Sequence, residues 1–144
     1  MAGTYSNLGI DLLLDDDGDL VVGPDGDLEL TPDGSTTLLQ DVENLLDTLP
    51  GDLFGHPSYG AGVARLFGEE NSSDFEALAI RAISDALAYD PSVAPRIKTE
   101  SISVSALRGS REIRFNVSFK ALADGVTSRL NLVWGLNKIT KENL

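Results

Sequence analysis

Residues 10–30 alternate apolar and polar side chains around a repeated turn. The sequence Asp-Gly-Asp-Leu begins at Asp17 and again at Asp25, which gives an eight-residue period. Asp-Gly pairs favour tight turns, because glycine adopts positive φ and aspartate accepts local backbone hydrogen bonds. The pattern therefore predicts a meander of short β-strands. Its apolar positions are Ile10, Leu12, Leu14, Leu20, Val22, Leu28 and Leu30.

The next segment changes to helical periodicity. Apolar residues recur at intervals of three and four over residues 38–49, and Pro50-Gly51 follows. This spacing predicts an amphipathic helix that ends before the proline. A polar residue at its start would accept a hydrogen bond from a free backbone N–H group. The candidate caps are Ser35 and Thr36, and the candidate capping box is Thr37 with Gln40.

A second helix is predicted further along the chain. Residues 73–76, Ser-Asp-Phe-Glu, have the pattern of a capping box, and Asp90-Pro91 would end the helix. Its apolar stripe comprises Phe75, Leu78, Ala79, Ala82, Ile83, Ala86 and Leu87.

Between the two helices, residues 50–70 are rich in Gly and Pro, which predicts an ordered loop. We expect this loop to be fixed by apolar anchors. They are Leu53, Phe54, Tyr59, Val63, Leu66 and Phe67.

Residues 97–136 return to a period of two and predict three antiparallel strands, with turns at 108–110 and 124–125. The sequence thus predicts an α+β fold, in which two main helices pack on a C-terminal three-stranded antiparallel sheet. We expect an acidic β-hairpin or meander extension at 1–34, an α+β domain at 35–136 and a polar tail at 137–144. The apolar strand positions are Ile102, Val104, Ile113, Phe115, Val117, Phe119, Ala121, Val126, Leu130, Leu132, Trp134 and Leu136.

The composition excludes several kinds of site. The chain of 144 residues has no cysteine and one histidine, His56. It therefore cannot form a disulfide, a cysteine zinc site or a site that needs two imidazoles. No apolar run reaches the roughly 20 residues of a membrane-spanning helix, and the N-terminus lacks the features of a signal peptide. We expect a soluble protein, made in the cytoplasm, that does not contact a membrane.

The net charge of −12 is unevenly distributed along the chain. Residues 1–64 contain 13 acidic residues and no Lys or Arg, whereas residues 65–144 contain 11 basic and 10 acidic residues. The acidic half would be repelled by nucleic acid, so we do not expect nucleic acid as a partner. A charge asymmetry of this kind suits docking among oppositely charged protein surfaces, although a solvated acidic face explains it equally well.

The pattern supports no catalytic, metal or cofactor site. The acids around Gly18 do not fit an EF-hand loop, and residues 60–62 lack the remaining residues of a phosphate loop. His56 has no Ser and Asp placed to form a triad with it. A glycosidase needs two carboxyl groups with different roles across a cleft, and no spacing of the acids at 69–76 separates an acid from a base. We therefore predict that the protein is not an enzyme.

Residues 37–90 combine a helix, a distinctive loop and a capped helix. The loop, residues 50–67, has the sequence Pro-Gly-Asp-Leu-Phe-Gly-His-Pro-Ser-Tyr-Gly-Ala-Gly-Val-Ala-Arg-Leu-Phe. This arrangement resembles the baseplate wedge and sheath-initiator proteins of contractile phage tails, to which a subunit of the type VI secretion baseplate is related. The three C-terminal strands fit as well, so the resemblance covers residues 10–136. The family commonly has Glu-Pro-Arg before the second helix, where this chain keeps Glu70 but has Asn71 and no Arg.

The resemblance implies a structural role in the tail baseplate of a virion. Members of the family lie between the wedge proteins and the first sheath ring, and their C-terminal sheet can accept strands from sheath arms. It therefore implies the tail sheath protein and baseplate wedge proteins as partners, with tail tube and hub proteins as further candidates. The implied wedge-contact residues are Glu69, Glu70, His56, Tyr59 and Arg65, and the implied sheath-contact residues are Leu130, Leu132, Trp134, Leu136 and Lys138.

An acidic adaptor is the alternative function. In this case the acidic half of the chain would imitate nucleic acid and occupy a basic protein. Because that attraction is strongly screened, moderate salt would abolish the binding.

Overall fold

Two helices cover one face of a four-stranded antiparallel sheet in the computed structural model, which describes residues 9–63, 75–107, 112–123, 125–135 and 138–141. This confirms the predicted α+β class. The strands follow the order β1-β2-β3-β4, and each pairs with its neighbour in sequence. The elements are α1 (Gly34–Asp47), α2 (Phe75–Tyr89), a 3-10 turn (Ala94–Arg96), β1 (Ile97–Leu107), β2 (Glu112–Ala121), β3 (Thr127–Gly135) and β4 (Lys138–Lys141).

The hydrophobic core lies between the sheet and both helices. Strand β2 runs through the centre of the sheet, and every second residue from Ile113 to Ala121 is buried, as the alternation predicts. In β3 the inward residues Leu130 and Leu132 are buried, whereas Val126, which precedes the strand, is exposed. The helices contribute Leu38, Val42, Leu45, Leu46, Phe75, Ala79, Ile83 and Leu87.

A β-bulge at Glu100 corrects the side-chain alternation of β1. Ile97 and Ile102 are five residues apart, so an unbroken strand would point them to opposite faces. The bulge inserts one extra residue, and both isoleucines then lie opposite inward-facing residues of β2, namely Ala121 and Val117. The bulge therefore lets both ends of β1 contribute to one core.

The fourth strand differs from the sequence prediction, which treated residues 137–144 as a polar tail. The backbone of Lys138–Lys141 pairs antiparallel with Leu132–Gly135. Four residues are too few for alternation to distinguish a strand from a polar tail. Strand β4 thus extends the sheet beyond the predicted three strands.

The N-cap of helix α1 lies two to three residues before the caps proposed from sequence. Its N-cap is Asp33, whose Oδ1 accepts hydrogen bonds from the backbone N–H of Thr36 at 2.7 Å and from its hydroxyl at 2.8 Å. Neither Ser35 nor Thr36 is the cap, because a carboxylate one turn earlier takes this role and also suits the positive end of the helix. These hydrogen bonds, the backbone one first, lower the pKa of Asp33.

Helix α2 matches its predicted stripe except at one position. Phe75, Ala79, Ile83 and Leu87 are buried, whereas Leu78 is exposed. The predicted capping box begins at Ser73, which lies outside the described residues. The helix ends before Asp90, whose carboxylate accepts from the backbone N–H of Ser92 and Val93 and so starts the turn toward β1.

The N-terminal segment forms two similar turns at the predicted positions. Asp15 Oδ1 accepts from the backbone N–H of Asp17 and Asp19, each at 2.9 Å, and Asp25 Oδ1 accepts from Asp27 at 3.2 Å. The glycine within each turn, eight residues apart in sequence, has a φ of +85°. The Asp-Gly repeat therefore encodes turns, as predicted.

The three short extended stretches of this segment do not form a simple meander. Isolated bridges pair Leu14 with Leu20 and Val22 with Leu28, and a third bridge, Leu12 with Leu30, joins the first stretch to the last. A meander would leave its first and third strands apart. Here each stretch pairs with both others, so the segment closes on itself as a ring of single bridges.

Candidate assembly surfaces

The loop that follows α1 is a chain of tight turns fixed to the end of that helix. Backbone hydrogen bonds close turns from Asp52 to Leu49, from His56 to Leu53 and from Tyr59 to His56. The loop then returns to α1, where the N–H of Ala61 donates to the carbonyl of Leu45 at 3.0 Å. Because the last carbonyls of a helix lack partners within it, these bonds stabilise both segments.

Gly60 makes this return possible. Its φ is +124°, and a Cβ atom at this position would lie 2.3 Å from the carbonyl oxygen of Thr48. Only glycine combines this backbone conformation with so close an approach. Glycine at position 60 is therefore required by the loop geometry.

The loop and α2 form the two sides of an open groove that brings His56 and Tyr59 together. Tyr59 is half-buried, and its loss of hydration, together with the negative charges of Asp90 and Asp41, raises the pKa of its hydroxyl. The hydroxyl therefore remains protonated at neutral pH and able to donate a hydrogen bond. The residues that line the groove include His56, Tyr59, Ala82, Ala86, Tyr89 and Asp90.

Large apolar side chains beside the groove are exposed. Phe54 is fully exposed at 100%, and Tyr89 is 80% exposed. The expectation that Phe54 anchors the loop is therefore wrong, and so is the expectation for Leu53, which is exposed too; Val63 is buried as expected. A loop built from consecutive backbone-bonded turns does not need these side chains for its own packing. The sequence shows that Leu53 and Phe54 are apolar but does not predict whether they point into the protein or toward solvent.

An ion pair holds α1 to the turn that precedes the sheet. Arg96 donates from Nη2 to Asp41 Oδ2 at 2.6 Å and from Nε to the carbonyl of Ser92 at 2.8 Å. Both side chains of the ion pair are mostly buried. These contacts fix α1 and the turn after α2 relative to each other, next to the groove.

The outer edge of β3 is the second candidate surface. Strand β4 pairs only with Leu132–Gly135, so the outer side of Thr127–Asn131 has no strand partner among the described residues. Leu130 and Leu132 have buried side chains that pack in the core, so a sheath contact at these two residues, which stays a prediction, would involve their backbone. The backbone of this strand, by contrast, can offer hydrogen bonds.

The remaining implied contact residues are placed only in part. The backbones of Trp134 and Lys138 lie on the paired strands β3 and β4. Arg65, Glu69, Glu70 and Leu136 lie outside the described residues.

Neither surface has the arrangement of a metal site. Within the described part of the chain, no three His, Asp or Glu side chains lie close enough together to hold a metal ion. No helix in that part is both long and apolar enough to cross a membrane. The chemistry that the two surfaces do offer is hydrogen bonding from a strand edge and apolar contact from the loop.

The fold and these surfaces define a small α+β protein with features of a subunit of a larger assembly. The sequence profile of the contractile injection system sheath initiators matches residues 10–122, and the chain belongs to that family. Membership gives the protein a structural role in the baseplate of a contractile injection system. No curated protein sequence matches the chain significantly.

Solved structures share the fold. A protein from Geobacter sulfurreducens described as a tail lysozyme is 14% identical, with a TM-score of 0.62, and the match covers 76% of this chain and 97% of that one. A chain of the anti-feeding prophage baseplate is 21% identical, with a TM-score of 0.66, and the match covers 84% of this chain and 90% of that one. At these identities the likeness shows the fold alone, so the lysozyme designation assigns no activity here.

Proposed function

We propose that this protein links baseplate wedge proteins to the first ring of sheath and acts as a non-enzymatic template for sheath assembly. The observation that carries the proposal is the open outer side of Thr127–Asn131, next to the short strand β4. A strand from a sheath subunit could pair there and extend the four-stranded sheet. The sheath protein would then start from a surface with a fixed position and register.

Strand addition suits this role because it depends on the main chain. Every second residue of an edge strand directs both its N–H and its carbonyl group outward, and the side chains on the two faces set the register. Inward residues of β3 are buried in the core, so the edge is held rigidly from one side. A rigid edge loses little conformational entropy when a partner strand pairs with it.

The wedge proteins would bind a different surface from the β3 edge, one that is apolar and acidic. The groove that holds His56 and Tyr59, together with the exposed Phe54, offers aromatic anchors of the kind that dominate protein interfaces. The closed N-terminal segment lies in the same acidic half of the chain, and we place it on the wedge or tube side as well. The protein would function in the baseplate after synthesis in the cytoplasm.

Two neighbouring proline variants would test the edge. The N–H groups of successive strand residues point in opposite directions, so one of Ser128 and Arg129 donates toward β2 and the other donates outward. Proline removes the N–H, and a strand tolerates it only at the outward position. Thermal unfolding of Ser128→Pro and Arg129→Pro identifies the outward position as the variant that keeps the wild-type Tm.

The folded proline variant should enter baseplates normally but reduce the number of sheathed particles by about tenfold or more, as counted by electron microscopy. Alanine at the same position is the matched control, because it removes the side chain and keeps the N–H. Normal sheath growth on the folded proline variant would refute the proposal. Recovery of the protein only with a soluble basic protein, and not with tail components, would instead support the acidic adaptor.

A further inference from the structure

The closed N-terminal segment carries an apolar belt that is continuous around its three stretches. Residues two apart on a strand lie on the same side, and bridged residues lie side by side. The three bridges and the three pairs of residues two apart therefore link six apolar residues into a closed ring. The belt comprises Leu12, Leu30, Leu28, Val22, Leu20 and Leu14.

Most of the side chains in the belt are exposed to solvent. Apart from Leu14, which is half-buried, its members are 37–62% exposed, and Ile10 next to them is 67% exposed. Single exposed leucines are common on protein surfaces, whereas a contiguous group of this size marks an interaction site.

The charged side chains of the segment that carries the belt are all negative. Residues 9–33 contain nine acidic residues and no Lys or Arg. Several of these carboxylates bind the backbone of the turns, which keeps them beside the belt: Asp15 and Asp25 accept from the turns, and Asp11 and Asp27 accept from the residue that follows each of them. The segment therefore has an apolar band with an acidic rim.

We propose that this belt docks onto another protein of the particle, at a surface whose apolar centre is flanked by Lys and Arg side chains. The inference rests on the proposed function, since it specifies the chemistry of a partner on the wedge or tube side. Apolar contact would supply most of the affinity, and the complementary charges would set orientation and exclude other partners.

The charge and the apolar belt together argue against lipid, nucleic acid and a second copy as the occupant. Anionic lipid and nucleic acid would be repelled by an acidic rim without a basic residue. Two copies that dock belt to belt would bring their acidic rims together, and the like charges would repel each other. A second copy offers its basic residues Lys98, Arg114, Lys120 and Arg129 on the outer face of the sheet, but their register neighbours there are mostly Ser, Thr and Asn, so the belt would remain uncovered.

Site-directed photo-cross-linking in assembled particles would test the docking. The chain has no cysteine, so Val22→Cys provides a single attachment site for a benzophenone maleimide, and Leu122→Cys is an equally exposed control outside the belt. We expect the Val22 label to give cross-linked peptides from one other particle protein, with apolar residues beside Lys or Arg. Cross-links only to this chain's own residues 1–8, to a second copy, to lipid or to peptides without basic residues would overturn the inference.

A paired substitution would measure the contribution of the belt. Val22→Thr with Leu28→Gln makes one bridged pair polar, whereas Leu122→Gln with Val126→Thr does so at the exposed β2–β3 turn. The belt pair should reduce incorporation into baseplates by about tenfold or more, and the control pair should leave it unchanged. If the belt pair incorporates normally while the proline variant still blocks sheath growth, this inference fails and the proposed function stands. If the belt pair loses incorporation while sheath grows normally on the proline variant, the proposed function fails and this inference stands.

Discussion

Gln40 of α1 holds the N-terminal segment to the rest of the protein, and its replacement should detach that segment. The Gln40 amide donates from Nε2 to the carbonyl of Leu12 at 2.9 Å and accepts at Oε1 from the N–H of Leu14 at 2.9 Å. The side chain therefore pairs with the first extended stretch as a strand would. It is also buried, so water does not readily replace it.

The expected cost of Gln40→Met follows from these two hydrogen bonds. Methionine fills a similar volume but leaves the N–H of Leu14 and the carbonyl of Leu12 without their partner. A partly buried group that loses its partner costs about 1–3 kcal/mol, so the two together should cost about 2–6 kcal/mol. Because the segment closes on itself through its own bridges, we expect most of this loss in its attachment to α1.

Hydrogen exchange separates local detachment from global unfolding. In Gln40→Met the amides of residues 9–33 should exchange faster, by about 30-fold or more, while those of β2 keep the protection of the wild type. Asn44→Met is the matched control, because Asn44 lies one turn further along the same helix with an exposed side chain. Unchanged exchange in residues 9–33 would refute the role of Gln40, and equal acceleration in β2 would show that the segment does not open independently.

Two further substitutions test the loop and the helix cap by thermal unfolding. Gly60→Ala should destabilise the protein by about 2 kcal/mol or more, because φ is positive and the added Cβ would clash with the carbonyl of Thr48. Gly55→Ala is the control, because φ is also positive there but no atom lies within 4 Å, and it should cost about 1 kcal/mol. Equal losses of stability in the two variants would contradict the clash. Asp33→Ala should cost about 1 kcal/mol at neutral pH. Since the folded-state pKa of Asp33 is lowered, its contribution is complete above about pH 5 and is lost as pH falls through that pKa. Asp33→Asn should keep the cap without this pH dependence, so an unchanged acid dependence in Asp33→Asn would contradict the assignment.

The sequence predicts the sheet well because its rules are local. Alternation alone identifies the buried residues of β2, since one face of that strand meets the core along its whole length. The same rule could not predict the bulge at Glu100, because a bulge is recognised only when a partner strand fixes the register. It also missed β4, whose existence depends on the edge that β3 offers.

The candidate surfaces could be predicted only in part, because exposure is a property of the whole fold. The loop sequence places His56 and Tyr59 close together, and the structure brings both to the groove. It does not reveal that Phe54 is exposed, because an apolar residue in a loop can pack inward or outward. The capping box predicted at Thr37 and Gln40 is wrong, because both residues lie inside α1. Their side chains instead bind the N-terminal segment, where Thr37 donates to the carbonyl of Gly9 and Gln40 donates to that of Leu12.

The closed N-terminal segment explains why its apolar residues remain outside. Three stretches joined by single bridges are too few to surround a space that side chains could fill, so the segment encloses no core of its own. The segment is fixed from outside through the Gln40 amide and through the hydroxyl contact of Thr31 with Thr37 at 2.7 Å. Those polar contacts orient the segment without covering its leucines. Within the described residues nothing covers the apolar belt, so docking of a second protein would remove it from water, which is the arrangement expected of a part that completes its packing during assembly.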